Sequence, residues 1–245
     1  MSEPSSTRRS RISRRTALRG AAVTGAAIAA GLAAGPRAAT VQAQWRPGPA
    51  VRDSYEAAIS RPAQHYQVVA YNDVSHPGLG EHILNSLNAS QFSYDEGPDG
   101  LLVAVQLYGT GDVVALNDSM WAKYQLGQKY DVRDPQTKAA ATRNVFYPRL
   151  TTGGRDLPPS DSQSFWRDTS VEALMARGVL FLVCHNALVG VAYSAVTDGR
   201  NPDNLSVDQV TDDMMANLLP GVFPVPAGVF ELQRLQDRGF RLLVN

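Results

Sequence analysis

The chain contains one cysteine, Cys184, and its surroundings could put a thiol to use. Val179 to Val183 is an unbroken apolar run introduced by Arg177-Gly178, and the small and apolar residues after Asn186 can enter a helix. This pattern reads as a fully buried strand that ends at Cys184 and is followed by a helix N-terminus. In open α/β sheets ligands collect at the carboxyl ends of strands. A thiol there faces the partial positive charge of the next helix, which can bring its pKa from about 8.5 toward 7. The competing reading is a buried cysteine acting as a small hydrophobe, and position alone does not separate the two. Around a reactive Cys184, the neighbours His185 and Asn186, with Asn72, Asp73 and Thr110 from other strand ends, would line the pocket. His185 could assist proton transfer, although a histidine adjacent in sequence often points away from its neighbour's site. A metal site made from Cys184, His185 and either His76 or His82 matches no common zinc spacing, so no metal is assigned. No serine-nucleophile, phosphate-loop or paired-carboxylate pattern stands out.

The elements that must position these residues alternate between strand and helix. Tyr66–Tyr71 and Leu101–Tyr108 read as strands, with a helix from about Glu81 to Gln91 between them. Gly109-Thr110-Gly111 leads into a predicted helix with Val113, Leu116, Met120 and Tyr124 at helical spacing. A Gly-x-Gly after a strand invites a dinucleotide reading. Val114 at the third glycine position argues against one, and no cofactor is assigned. Residues 127 to 168 are polar, weakly periodic and rich in turn formers, and read as an insertion or an oligomer contact. Thr169-Ser-Val-Glu172 has the form of a capping box, and its helix runs to a terminal glycine, Gly178. The cysteine strand and its helix to about Val196 come next. A second capping box, Ser206-Val-Asp-Gln209, opens a helix lined by Val207, Val210, Met214 and Leu218. Val222–Val225 is a short strand, Pro226-Ala-Gly228 starts the last helix, and Phe240–Val244 is the last strand. Crossovers at this spacing require a mostly parallel sheet covered on both faces.

The N-terminal segment carries a different message. Ser13-Arg14-Arg15-Thr16-Ala17-Leu18-Arg19 precedes a short apolar stretch rich in Ala and Gly, the form of a twin-arginine export signal. Val41-Gln42-Ala43 places small residues for cleavage before Gln44, so residues 1–43 read as a signal peptide. The expected destination is the periplasm or extracytoplasmic space of a bacterium, with no stable membrane span after cleavage. Residues 44–64 read as a tether or strap, with a short helix around Ser54 to Ile59, and residues 65–245 as one domain. Without the signal the chain has 16 basic and 22 acidic residues, a net charge of −6. An acidic chain lacking a Lys/Arg cluster argues against nucleic acid as a partner. A lone cysteine cannot form an internal disulfide, so stability rests on the core.

Leu180 to Gly190, Leu219-Pro-Gly-Val222, Val225-Pro-Ala-Gly228-Val229 and Leu235-Gln-Asp-Arg-Gly239-Phe240 together resemble the DsrE/DsrF-like family, also called YchN-like. The spacing Cys184-x-x-Ala187-x-x-Gly190 matches that family's cysteine loop, and the resemblance runs from about Tyr66 to Val244. It is nearest to twin-arginine-exported members of unassigned function. It implies a three-layer α/β/α domain with a mostly parallel five-stranded sheet, assembled as a homo-oligomer, either trimer or hexamer. It also implies a cysteine able to carry persulfide sulfur, making the protein a sulfur carrier or sulfurtransferase acting through Cys184 with a sulfur donor or acceptor protein. The alternative is a non-catalytic module that binds a small ligand or serves in an assembly, with a structural buried cysteine.

Overall fold

Apolar runs such as Leu101–Leu107 and Leu180–Cys184 have no polar face to turn toward water, so they form strands only where both faces are covered. The computed structural model describes residues 45–76 and 78–244. The export-signal reading of residues 1–43 lies outside these described residues. In chain order, helix α1 (Pro49–Ile59) precedes strand β1 (His65–Tyr71), and α2 (Leu79–Asn88) leads to β2 (Leu101–Leu107). A 3-10 segment, Gly109–Ala115, is followed by α3 (Asp118–Lys123) and α4 (Leu126–Lys129). Then come α5 (Val171–Ala176), β3 (Leu180–Cys184), α6 (His185–Thr197), α7 (Val207–Ala216), β4 (Phe223–Val225), α8 (Gly228–Asp237) and β5 (Arg241–Val244).

The sheet has five strands in the order β4-β3-β2-β1-β5, all parallel. From β1 to β4 the chain steps in one direction, so right-handed crossovers carry the intervening helices over one face. The return from β4 to β5 runs the other way and places α8 on the opposite face beside α1. The core divides accordingly. Val103, Val105, Leu107, Phe181 and Val183 face the larger cluster, packed by Ile83 of α2, Leu174 of α5, Leu188 of α6 and Met214 of α7. Their alternates Leu102, Ala104, Leu180 and Leu182 face the smaller cluster, with Tyr55 and Ile59 of α1 and Leu235 of α8. The fold is therefore a three-layer α/β/α domain.

Residues 49–59 form a helix longer than the short one expected around Ser54. It is pinned to α8: Tyr55 donates to buried Glu231, and Arg234 bridges Glu231 and Glu56. Three local expectations are corrected. The single helix expected through Val113, Leu116, Met120 and Tyr124 is interrupted, because Leu116 is extended (φ −91°, ψ 143°). Asn117 then caps α3 by accepting from the Met120 N–H. The capping box at Thr169 is displaced by one residue. Ser170 is the cap of α5, accepting from Ala173 N at 3.2 Å, while the Glu172 carboxylate accepts from Arg149 N. Asp168 accounts for the shift, because it accepts from Ser170 N and fixes the approach to the helix. Third, α2 passes into a π-helical turn, Ala89–Ser93, where one continuous helix was expected. The capping box of Ser206 and Gln209 is present as read, and Gly178 adopts the left-handed φ of 90° that ends α5.

The 127–168 stretch has little regular structure and is held by buried polar side chains instead. Asn144 donates to Val114 O and Leu116 O and accepts from Phe146 N and Tyr147 N. Buried Asp168 accepts from Leu150 N and Thr151 N. No helix among the described residues is long and apolar enough to cross a membrane.

Candidate functional site

Strand parity decides which way Cys184 points. Leu180, Leu182 and Cys184 share one face of β3, and Ala104 and Gln106 share the same face of β2, the side covered by α8. The chain turns directly from β3 into α6, making Cys184 the residue that caps α6: its Sγ accepts from Ala187 N at 3.4 Å. A second donor arrives from the far end of the fold. Gly228, the first residue of α8, donates its N–H to Sγ at 3.1 Å. Asn186 N donates to Pro226 O at 3.3 Å and ties the two helix starts together. Position 228 is crowded, since a Cβ there would lie 2.8 Å from Gln106 Nε2 and 3.2 Å from Cys184 Cβ and would oblige these side chains to shift. Two helix N-termini thus converge on one sulfur, an arrangement suited to holding negative charge.

Residues that neighbour Cys184 in sequence, across the sheet or through its backbone carry buried polar atoms with no hydrogen-bond partner among the described residues. Gln106 donates to Leu107 O at 2.6 Å, but its Oε1 is buried without a partner. Asp112, in the 3-10 segment, accepts from Cys184 N at 3.1 Å through Oδ1, while its Oδ2 is buried and unpaired. His185 Nδ1 and Asn186 Oδ1 are in the same condition. Buried polar atoms are ordinarily satisfied, so four unmatched ones on the immediate neighbours of Cys184 form a concentration. Trp45 stacks on the His185 ring, with centroids 4.4 Å apart and planes 11° from parallel.

The electrostatics run against the expectation of a depressed thiol pKa. Cys184 is 5% exposed. Burial, assisted by the charge of Asp112, pushes its thiol up despite the opposing N–H donors of Gly228, Ala187 and Asn186. Each hydrogen bond to a charged group contributes about 1.5–3 kcal/mol, whereas taking an anion out of water costs several, so the resting group is the thiol. Burial also pushes the Asp112 carboxyl well above the usual range, against a single backbone hydrogen bond from Cys184. Burial lowers His185, outweighing Asn186 and Asp212, so its imidazole is neutral.

Of the residues expected to line the pocket, His185 and Asn186 join Cys184, while Asn72, Asp73 and Thr110 form a group of their own. Thr110 Oγ1 lies 3.4 Å from both Asn72 O and Asp73 Oδ1 and accepts from Val74 N. Asp73 accepts from Ser75 through both its N–H and its hydroxyl, bonds that hold it below the usual carboxylate range. No hydrogen bond joins this group to Cys184 among the described residues. Gln106, Asp112 and Trp45 escaped the sequence reading, and Gly228 was read as a helix start without its role as a donor to the sulfur. Gln106 had a signal, as the one polar side chain in the apolar run Leu101–Leu107; Asp112 and Trp45 had none. No group of three or more His, Cys, Asp and Glu among the described residues is placed to hold a metal.

Comparison with known proteins adds little to this geometry. No family model matches the chain, and no curated protein matches it. A solved structure to which it is similar is that of a protein of unknown function, MTH1491, from Methanobacterium thermoautotrophicum. The two are 18% identical with a TM-score of 0.34, over 74% of this chain and 99% of the other. The resemblance to the DsrE/DsrF-like family accordingly rests on the sequence motifs.

Proposed function

We propose that this protein is an exported sulfur carrier in which Cys184 holds sulfane sulfur as a persulfide. The observation that carries the reading is the convergence of the Ala187 and Gly228 N–H groups on Sγ. In loading, the Cys184 thiolate attacks the outer sulfur of a donor persulfide, R–S–SH. The donor's S–S bond breaks, R–S⁻ leaves and takes up the proton given up by the thiol, and Cys184–S–SH forms. In unloading, an acceptor thiolate attacks the outer sulfur and Cys184–S⁻ departs. The two helix N-termini stabilise that leaving group at the moment charge appears on it. No net oxidation occurs in either step. His185, neutral and beside the cysteine, is the candidate to accept the thiol proton.

The burial of Cys184 favours a second reading, a structural cysteine in a domain that binds a small polar ligand through Gln106, Asp112 and Asn186. Intact mass separates the two. Under the first, folded protein incubated with a polysulfide donor gains one sulfur, about 32 mass units, removable by reductant and absent from Cys184→Ser. A thiol that takes up neither sulfur nor alkylating reagent until the protein is denatured would assign the site to the second reading.

A further inference from the structure

At the opposite end of the sheet from Cys184, where β2 and β3 begin, lies a cleft of about 140 Å³ lined by residues that include Gln91, Asp99, Leu101, Arg155, Trp166 and Arg177. Two of these residues come from the long insertion: Arg155 and Trp166 reach across to the end of α5, where Arg177 sits. Both guanidiniums pack on the same indole, with Arg155 5.2 Å and Arg177 5.1 Å from the Trp166 ring. Trp166 is fixed in turn, because its Nε1–H donates to Arg155 O at 3.0 Å and its ring meets Phe92 edge-on.

Among the described residues, neither arginine has a counter-charge. Every oxygen they bond is neutral: Arg177 donates to Asn88 Oδ1 at 2.8 Å and Gln91 Oε1 at 3.3 Å, and Arg155 to Ala176 O at 2.7 Å. Many of the other arginines are paired, as Arg143 is with Asp134 and Arg234 with Glu56. Asp99, the carboxylate on the rim, forms no ion pair with either arginine among the described residues. Burial, and then the charge of Arg155, pull Arg177 down to about 10. Two like charges held beside each other in a partly buried cleft are costly when empty and become favourable when an anion is shared between them. A guanidinium has five N–H donors in a fixed fork, and the donors that these bonds leave over are chemically suited to an oxyanion.

We propose that this cleft binds a small doubly charged oxyanion of the phosphate or sulfate class, clamped between Arg155 and Arg177. The cleft has room for the oxyanion itself or for the terminal group of a monoester. This assignment is independent of the sulfur chemistry at Cys184 and gives the insertion a role, since without it the cleft has one arginine and no aromatic floor.

Calorimetric titration of the full mature chain with inorganic phosphate and with sulfate, against chloride at matched ionic strength, tests the proposal. A glycerol phosphate arm distinguishes a free anion from a monoester. Wild type is expected to bind one phosphate per chain saturably. Arg155→Gln, at an exposed residue, is expected to lose at least tenfold in affinity with unchanged far-UV dichroism. Asp99→Asn is expected to bind several-fold more tightly, an effect that arginines serving only to staple the insertion would not produce. Binding no stronger than to chloride, or affinities unchanged by Arg155→Gln and Asp99→Asn, would overturn it.

Discussion

At the level of single residues, the site is governed by the contest between burial and hydrogen bonding at two adjacent acids. Cys184 and Asp112 both have their charged forms disfavoured, and the bond between them runs from the Cys184 backbone to Asp112 Oδ1. The elevated carboxyl has a definite consequence for stability. A group whose folded pKa is raised holds its proton more tightly when folded. Its contribution is greatest below the unfolded value of about 3.9 and is lost as pH rises from there toward the folded value. Asp112→Asn keeps the acceptor for Cys184 N and abolishes the titration. Urea unfolding is expected to show the variant more stable than wild type at pH 8, with the gap narrowing toward pH 4. An equal gap at both pH values would mean that Asp112 is not the titrating group. At the thiol itself, Cys184→Ala is expected to cost about 1 kcal/mol, the loss of one buried heavy atom. That small penalty allows the disappearance of sulfur loading to be read as chemistry and not as unfolding.

At the scale of elements, the insertion shows how a segment without regular structure can still be ordered. Asn144 satisfies four backbone groups from two parts of the chain, namely the carbonyls of Val114 and Leu116 and the N–H groups of Phe146 and Tyr147. Replacing it with alanine leaves these partners unmatched in a buried place, and a loss of about 2–4 kcal/mol is expected by denaturant unfolding. A change under about 1 kcal/mol would show that water or a local shift replaces the amide. Asp168 couples the same segment to α5. Burial alone would raise this carboxyl, but hydrogen bonds from Ser170, Thr151 and Leu150 bring it below its usual range. A depressed carboxylate stabilises above its unfolded pKa, and the effect disappears as pH falls through the folded value. Hydrogen exchange in residues 150–170 is therefore expected to accelerate below about pH 4, ahead of the strands. Uniform acceleration across the domain would argue against a local role.

For the molecule as a whole, two expectations concern assembly and destination. Val229 and Phe230, at the start of α8 beside the cysteine, are 71% and 66% exposed. Apolar surface of this kind is what a homo-oligomer would cover. Light scattering of the mature chain is expected to give a multiple of the monomer mass, and Phe230→Glu to reduce it. A monomer at micromolar concentration would remove the oligomer while leaving the fold unaffected. Export is tested at the other end of the chain. Replacing Arg14 and Arg15 together with lysine is expected to leave unprocessed protein in the cytoplasm, and N-terminal sequencing of the exported wild type to begin at Gln44. Normal export of the double variant would rule out the twin-arginine route.

The sequence by itself determined the alternation of strands and helices, the parallel sheet, the Ser206 capping box, the terminal glycine of α5 and the place of Cys184 at a strand end. These features depend on periodicity, capping chemistry and backbone freedom, which act over a few residues. Only the tertiary structure decided what surrounds the sulfur. The Gly228 donor lies 44 residues from Cys184 and arrives because the last crossover returns over the opposite face of the sheet. Asp112 is brought in by a segment read as plain helix, and Asn72, Asp73 and Thr110 are drawn into bonds with one another. The direction of the thiol pKa follows from that assembly: a helix N-terminus, visible in sequence, lowers it, while burial, which depends on packing from distant parts of the chain, outweighs that effect and raises it.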